Sequence, residues 1–316
     1  MLTSTDLATK TQEKIPRKLK ENIKTTSKHD FQIIKHKFIE AIFTSRISSY
    51  FSPLIKLLVS LQIANVWEGV YNCWEDAPQD DNVLEEKIWT NRLTNQALRS
   101  ILAYRSGKSF SLASSTQDYI LSLAGGMLLS SSEDSLCILD FGGGMGTSYF
   151  PLISSLPDTK KVEFHIVELK TICDLANKIL GDFPQLHFHE SLPKISREVD
   201  IIHTGSSMQY ISDWKGLLDE FANYRPRILI LEDILTGDIP SFVTTQNFYG
   251  KKIRLRFLNI NELIEKVQRL DYQLIYKSQC TQNFLGGIGG SLPMKNFPSQ
   301  YQLDYGSHLI FKRIKH

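Results

Sequence analysis

Cysteine is scarce in this chain of 316 residues: there are four, at 73, 137, 173 and 280, and no two share a Cys-x-x-Cys spacing. That scatter excludes a zinc ribbon and a disulfide framework, and Cys137 and Cys280, inside apolar runs, read as small packed hydrophobes. Long apolar runs are lacking too. Residues 47–66 approach the length of a membrane span, but Pro53, Lys56 and Gln62 interrupt them, so they read as a helix with one apolar face. No apolar leader opens the sequence, because Lys10, Lys14, Arg17, Lys18 and Lys20 break up the first twenty residues, and the expected location is the cytoplasm. Net charge is small, +2, but uneven: residues 1–60 hold eleven Lys or Arg against five Asp or Glu, which leaves +6 there and −4 over the rest. A basic excess confined to one end speaks against a nucleic-acid partner for the remainder. It leaves open a peripheral association of that end with an anionic membrane face.

Residues 1–30 are polar, rich in Lys and Thr and without periodicity, so a mobile basic tail is expected. From 31 to 134 the chain reads as a mainly helical extension, with helices over 31–51, 54–66, 84–104 and 117–129 and an aromatic and acidic turn segment at 67–78. From 135 to 316 strand and helix patterns alternate. Strands are expected over 136–141, 163–168, 186–189, 199–204 and 227–232, followed by a helix at 261–270, a strand at 272–280, a glycine-rich loop over 281–302 and a strand at 305–314. Such alternation makes a parallel sheet covered on both faces, and two closing strands with no helix between them pair antiparallel. The fold class is α/β, with seven strands.

Within this pattern, Cys137-Ile138-Leu139-Asp140-Phe141 runs straight into Gly142-Gly143-Gly144-Met145-Gly146-Thr147. An apolar strand that enters alternate glycines and then a helix is an edge built to bind a nucleoside, since glycine lets the backbone turn tightly and approach a ligand. A dinucleotide fingerprint would place its third glycine at 147, where Thr stands. Two residues after Gly144 the glycine is instead Gly146.

With Asp140 just ahead of it, this spacing resembles motif I of class I S-adenosylmethionine-dependent methyltransferases. The resemblance implies a Rossmann-like sheet and S-adenosylmethionine as cofactor. Gly142, Gly144 and Gly146 would wrap its methionine portion and Asp140 would receive its ammonium, directly or through water. Glu168, twenty-six residues after Gly142 at a strand end, would accept the ribose hydroxyls. Glu190 and Ser191 stand where this fold contacts adenine, and Gly205 and Ser206, after the fourth strand, would face the transferred methyl. For a hydroxyl acceptor, the general-base candidates at strand ends are His203, Glu232 and Asp233. Metal assistance would want converging carboxylates at the fourth and fifth strand ends. The fourth ends in His-Thr-Gly, so no metal is expected.

Trp67-Glu68-Gly69-Val70-Tyr71, Trp74-Glu75-Asp76-Ala77 and Ser206-Ser207-Met208-Gln209-Tyr210 add a narrower likeness. Together with the glycine motif they resemble a family of bacterial methyltransferases found with surface-polysaccharide genes, such as those for O-antigen or capsule. This implies O-methylation of a sugar or lipid-linked glycan intermediate. Aromatic faces and acidic rims suit a saccharide, so the substrate candidates are Trp67, Tyr71, Trp74, Gln209 and Tyr210, with Gln246 and Tyr249 from the polar run 244–250. Glu75 and Asp76 belong to the same acidic rim, and the loop 284–301 is a candidate lid. A different small-molecule acceptor, such as a natural product, and an inactive cofactor-binding scaffold are the alternatives.

Overall fold

The computed structural model describes residues 65–107, 119–129, 135–156, 162–280 and 291–314, all within the unit that begins at Pro53. The expected tail, the helices expected up to residue 64 and residues 281–290 of the glycine-rich loop lie outside the described residues. In chain order the elements are β1 (Trp67–Tyr71), α1 (Lys87–Arg105), α2 (Tyr119–Leu129), β2 (Leu136–Phe141), α3 (Tyr149–Ser155), β3 (Val162–Val167), α4 (Lys170–Leu180), β4 (Leu186–His189) and β5 (Ile201–Gly205). There follow α5 (Trp214–Asn223), β6 (Ile228–Ile234), β7 (Thr236–Gly237), β8 (Phe242–Phe248), β9 (Lys251–Asn259), α6 (Ile260–Gln268), β10 (Tyr272–Cys280) and β11 (Gly306–Arg313).

Seven strands form one sheet in the order β10-β11-β6-β5-β2-β3-β4. The five from β4 to β6 are parallel, and β11 lies antiparallel between β6 and β10. This is the seven-stranded α/β sheet with an antiparallel closing pair that the alternating pattern implied. From β2 the chain steps outward to β3 and β4, then crosses back to β5 and β6 on the other side. The switch of direction falls between β2 and β5, and ligands of open α/β sheets bind at the carboxyl ends beside such a point.

Both faces of the sheet are covered, which is why β2 is apolar from Leu136 to Leu139. Leu136 and Ile138 pack under α1, α2, α3 and α4; Cys137 and Leu139 face α5 and α6. Leu93, Ala97 and Ile101 recur at four-residue spacing and give α1 its buried stripe. Local chemistry fixes the ends of α5 and α6: Asp213 accepts the Gly216 N–H, and Asn259 Oδ1 accepts those of Asn261 and Glu262.

The segment 67–78, expected as a turn, opens with β1, and most of the polar run 244–250 is β8. With β9 and β7 these form a second sheet, in the order β1-β8-β9-β7. Trp67 pairs across the ladder with Gln246. Its ring sits edge-on to Phe257 at 5.3 Å, in a core shared with Phe242, Leu255, Met294 and Phe297. A polar run can be a buried strand here because the 67–78 segment satisfies it: Thr244 Oγ1 donates to the Gly69 carbonyl at 2.7 Å and Thr245 Oγ1 to that of Pro78 at 3.3 Å. No helix among the described residues is long and apolar enough to cross a membrane.

Candidate functional site

The turn after β2 is built from left-handed glycines: Gly142, Gly144 and Gly146 have φ of +67°, +58° and +66°, a region costly for residues with a Cβ. Gly142 is demanded twice, because a Cβ there would collide with the Ser207 side chain. Ser207 Oγ donates to the Gly142 carbonyl at 3.1 Å, so the loops after β2 and β5 close on each other. Met145 is fully buried beneath the turn, and α3 begins at Tyr149, just past the turn. Glu168 stands one residue beyond β3, at the same edge. Its Oε2 accepts the Leu169 N–H at 2.7 Å. Burial raises its pKa, and the N–H groups of Leu169 and Gly144 pull it back down. Asp174 and Glu190 both pair with the exposed Lys170, Glu190 at 3.1 Å, and Ser191 is exposed in the loop after β4.

Asp140 is 1 % exposed, and both of its oxygens are engaged. Ser148 Oγ donates to Oδ2 at 2.6 Å, and His203 Nδ1 donates to Oδ1 at 2.7 Å. The other ring nitrogen of His203 donates to Glu232 Oε2 at 3.0 Å. Burial by itself would lower the His203 pKa, but the two carboxylates, Asp140 foremost, push it up to about 10. The ring is therefore an imidazolium without a lone pair at neutral pH. Glu232 Oε1 lies 3.8 Å from His308 Nδ1. That nitrogen accepts the Asp233 N–H at 3.2 Å, and burial lowers the His308 pKa, so His308 is neutral.

Asp233 and Ser206 face each other at the ends of β6 and β5, and both are strained, with φ of +50° and +54°. Ser206 Oγ donates to Asp233 Oδ2, Cys280 Sγ to Oδ1 at 3.0 Å, and the Ser206 N–H to the Glu232 carbonyl at 2.9 Å. Burial raises the Asp233 pKa, while the residue keeps part of its surface open. Gly205 lies next to the His203 ring, which a Cβ would touch at 3.4 Å.

Of the substrate candidates, Tyr210 donates its hydroxyl to Gln246 Oε1 at 2.8 Å, and burial drives its pKa upward. Gln246 Nε2 and Gln209 Oε1 are buried with no hydrogen-bond partner among the described residues. Tyr249, at the β8–β9 turn, receives Arg92 Nη1 at 2.7 Å. Trp67 is a core residue of the second sheet, whereas Tyr71 and Trp74 are half-buried and Glu75 and Asp76 exposed. Trp74, Leu169, Tyr210 and Arg254 line a cavity of about 270 Å³ together with Gln79 and Leu84. Sequence reasoning did not single out Ser148, His308 or Arg254. Nothing in their neighbourhoods marks them, because strand pairing and turns alone bring them to this edge.

Among the described residues one group, Cys137, Glu163 and His165, offers ligand atoms within 4.8 Å of one another. Burial pushes the Cys137 thiol up to about 12 and His165 down to about 4, and the group lies away from the glycine turn.

No protein-family model matches the chain, and no curated protein matches it. Solved structures with a similar course include an S-adenosylmethionine-dependent methyltransferase from Clostridium acetobutylicum, 14% identical, covering 61% of this chain and 92% of that one at a TM-score of 0.39. The glycopeptide N-methyltransferase MtfA complexed with S-adenosylmethionine is 14% identical over 62% of this chain and 94% of that one, at 0.39. A methyltransferase from Methanosarcina mazei is 12% identical over 60% and 98%, at 0.42. These are distant likenesses, and the functional reading rests on this chain's own residues.

Proposed function

We propose that the chain is an S-adenosylmethionine-dependent methyltransferase that O-methylates a sugar or glycan intermediate of surface-polysaccharide synthesis. The observation that carries the cofactor is the left-handed glycine turn at the end of β2 with Glu168 just past the end of the neighbouring strand β3, on the same sheet edge. An aspartate-led glycine turn and a carboxylate one strand over are what a nucleoside with a charged amino-acid tail needs. When bound, S-adenosylmethionine supplies the electrophilic methyl. Glu168 holds the ribose hydroxyls, and Glu190 or Ser191 meets the adenine edge. Asp140 organises the turn, its carboxylate already shared between Ser148 and His203.

Transfer is an in-line displacement, so holding the acceptor at attack distance supplies most of the acceleration. An acceptor hydroxyl must also lose its proton. Of the three candidate bases, His203 carries a proton on each nitrogen and Glu232 is tied to it. Asp233 remains, partly open and with a raised pKa, beside the Ser206 loop. Of the acceptor candidates, Trp74 and Tyr210 line the cavity where a saccharide would lie. A lipid-linked acceptor would bring the enzyme to the inner membrane face, where the +6 charge of residues 1–60 favours anionic lipid.

The test has two stages. Calorimetric titration with S-adenosylhomocysteine should show binding, and its absence refutes the reading. Transfer of a labelled methyl group to a panel of sugars, nucleotide sugars and other small acceptors then assigns the acceptor class. Cofactor binding with no turnover on any of them would mark an inactive scaffold. Sedimentation with anionic vesicles that fades as salt rises checks the membrane extension.

A further inference from the structure

The geometry points to an acceptor that carries an anionic group, a carboxylate or a phosphate, received by Arg254; this inference rests on the methyltransferase reading above. Lys252, Arg254 and Arg256 alternate along β9 and so share one face of the second sheet, while Ile253, Leu255 and Phe257 between them are buried. The outer two cations are engaged. Lys252 Nζ is 3.7 Å from Glu68 Oε2. Arg256 lies over the Trp74 ring at 5.6 Å, donates to the Ser212 carbonyl at 3.5 Å and feels the charges of Glu262 and Glu75.

Arg254 is different. No carboxylate among the described residues forms a salt bridge with it, and no acceptor among them takes any of its guanidinium N–H groups. Its Nε is buried without a partner, as is that of Arg256, but Arg256 at least reaches the Ser212 carbonyl and the Trp74 face. Its backbone N–H alone is used, donating to Gln79 Oε1 at 2.8 Å. A guanidinium donor withdrawn from water and left unmade is a standing cost that an acceptor group would remove. The residue lines the cavity that also holds Trp74, Tyr210 and Leu169, and Leu169 directly follows Glu168. The space thus runs from Leu169, next in sequence to Glu168, past Tyr210 to the Arg254 guanidinium. Glu85 borders it too, without pairing to Arg254. The planar fork of arginine matches the paired oxygens of carboxylate and phosphate, and Trp74 and Tyr210 offer faces to the apolar side of a sugar. A uronic acid and a sugar phosphate both present this combination.

The test titrates the full chain, saturated with S-adenosylhomocysteine, with glucuronate, glucose 1-phosphate and glucose. One of the two anions should bind at least ~10-fold more tightly than glucose, and which one distinguishes carboxylate from phosphate as the source. Arg254→Gln should abolish that preference, Arg254→Lys should restore part of it, and Lys252→Gln, on the same row but paired to Glu68, should leave it intact. Equal binding of all three sugars, or an equal loss in Lys252→Gln, overturns the inference. Cofactor-product binding by the wild type is measured first. Its failure would refute the methyltransferase reading, whereas its success with no anion preference refutes this inference alone.

Discussion

Asp140 and His203 stand directly opposite each other in the parallel register of β2 and β5, and His203 Nδ1 lies 2.7 Å from Asp140 Oδ1. The same ring reaches Glu232 on β6 at 3.0 Å. One buried cation thus ties together three neighbouring strand ends: the one that begins the glycine turn, the one that begins the Ser206 loop and the one that carries Asp233. Two carboxylates at this depth are tolerable because the imidazolium lies between them.

His203→Gln should therefore destabilise the fold by about 3–5 kcal/mol at pH 6, as removal of one partner from a buried ion pair does. The His203 pKa is raised from 6.5 to about 10 on folding. Its contribution is thus fully present below about pH 6.5 and is lost as pH climbs toward 10. Urea unfolding of both proteins across that window checks this: the gap should be widest at the acid end and narrow toward pH 10. A gap independent of pH would mean that the ring is neutral.

Glu168→Ala should weaken S-adenosylhomocysteine binding by about 1.5–3 kcal/mol, the loss expected for charge-assisted hydrogen bonds. Its carboxylate is half-buried and bonded to the Leu169 N–H rather than to a cation, so the unfolding midpoint should shift little. Unchanged affinity by calorimetry would remove Glu168 from the cofactor site.

Asp233→Asn should lower kcat by about 10²–10⁴ while cofactor affinity is kept. A base works when deprotonated, so activity should rise with pH through the Asp233 ionisation. Burial raises that ionisation above the ordinary aspartate value, which moves the acid limb of the rate profile upward. The limb should disappear in Asp233→Asn. A limb that persists unchanged would belong to another group.

The main sheet was legible because its signals are local. The strands at 136–141, 186–189 and 272–280 have the bounds read from apolar runs, and α6 follows its expected helix closely. The cofactor edge was legible for the same reason, since glycine spacing and a strand-end glutamate are written consecutively. The second sheet was not. β1 finds its partner β8 only across nearly the whole domain, and the buried hydroxyls of Thr244 and Thr245 make β8 look like a loop until their acceptors at Gly69 and Pro78 are known. The state of His203 was hidden likewise. An apolar strand suggests a neutral histidine, and only the register with Asp140, together with Glu232 two residues further along β6, makes it a cation.

The two tryptophans of the aromatic segment, alike in sequence, should separate in experiment. Trp67 is 1 % exposed against Phe257, so Trp67→Ala should cost about 3–5 kcal/mol of stability, the loss typical of deleting a buried indole. Any loss of turnover should then follow the unfolded fraction. Trp74 is half-buried, lines the cavity and carries Arg256 over its face. Its removal should cost only about 1 kcal/mol of stability, the scale of a partly exposed cation–π contact, yet raise KM for the acceptor with KM for S-adenosylmethionine unchanged. Unfolding curves and acceptor KM values measured on the same two preparations decide the matter. A Trp74→Ala enzyme with wild-type acceptor KM would remove the aromatic segment from the acceptor site and leave it as packing alone.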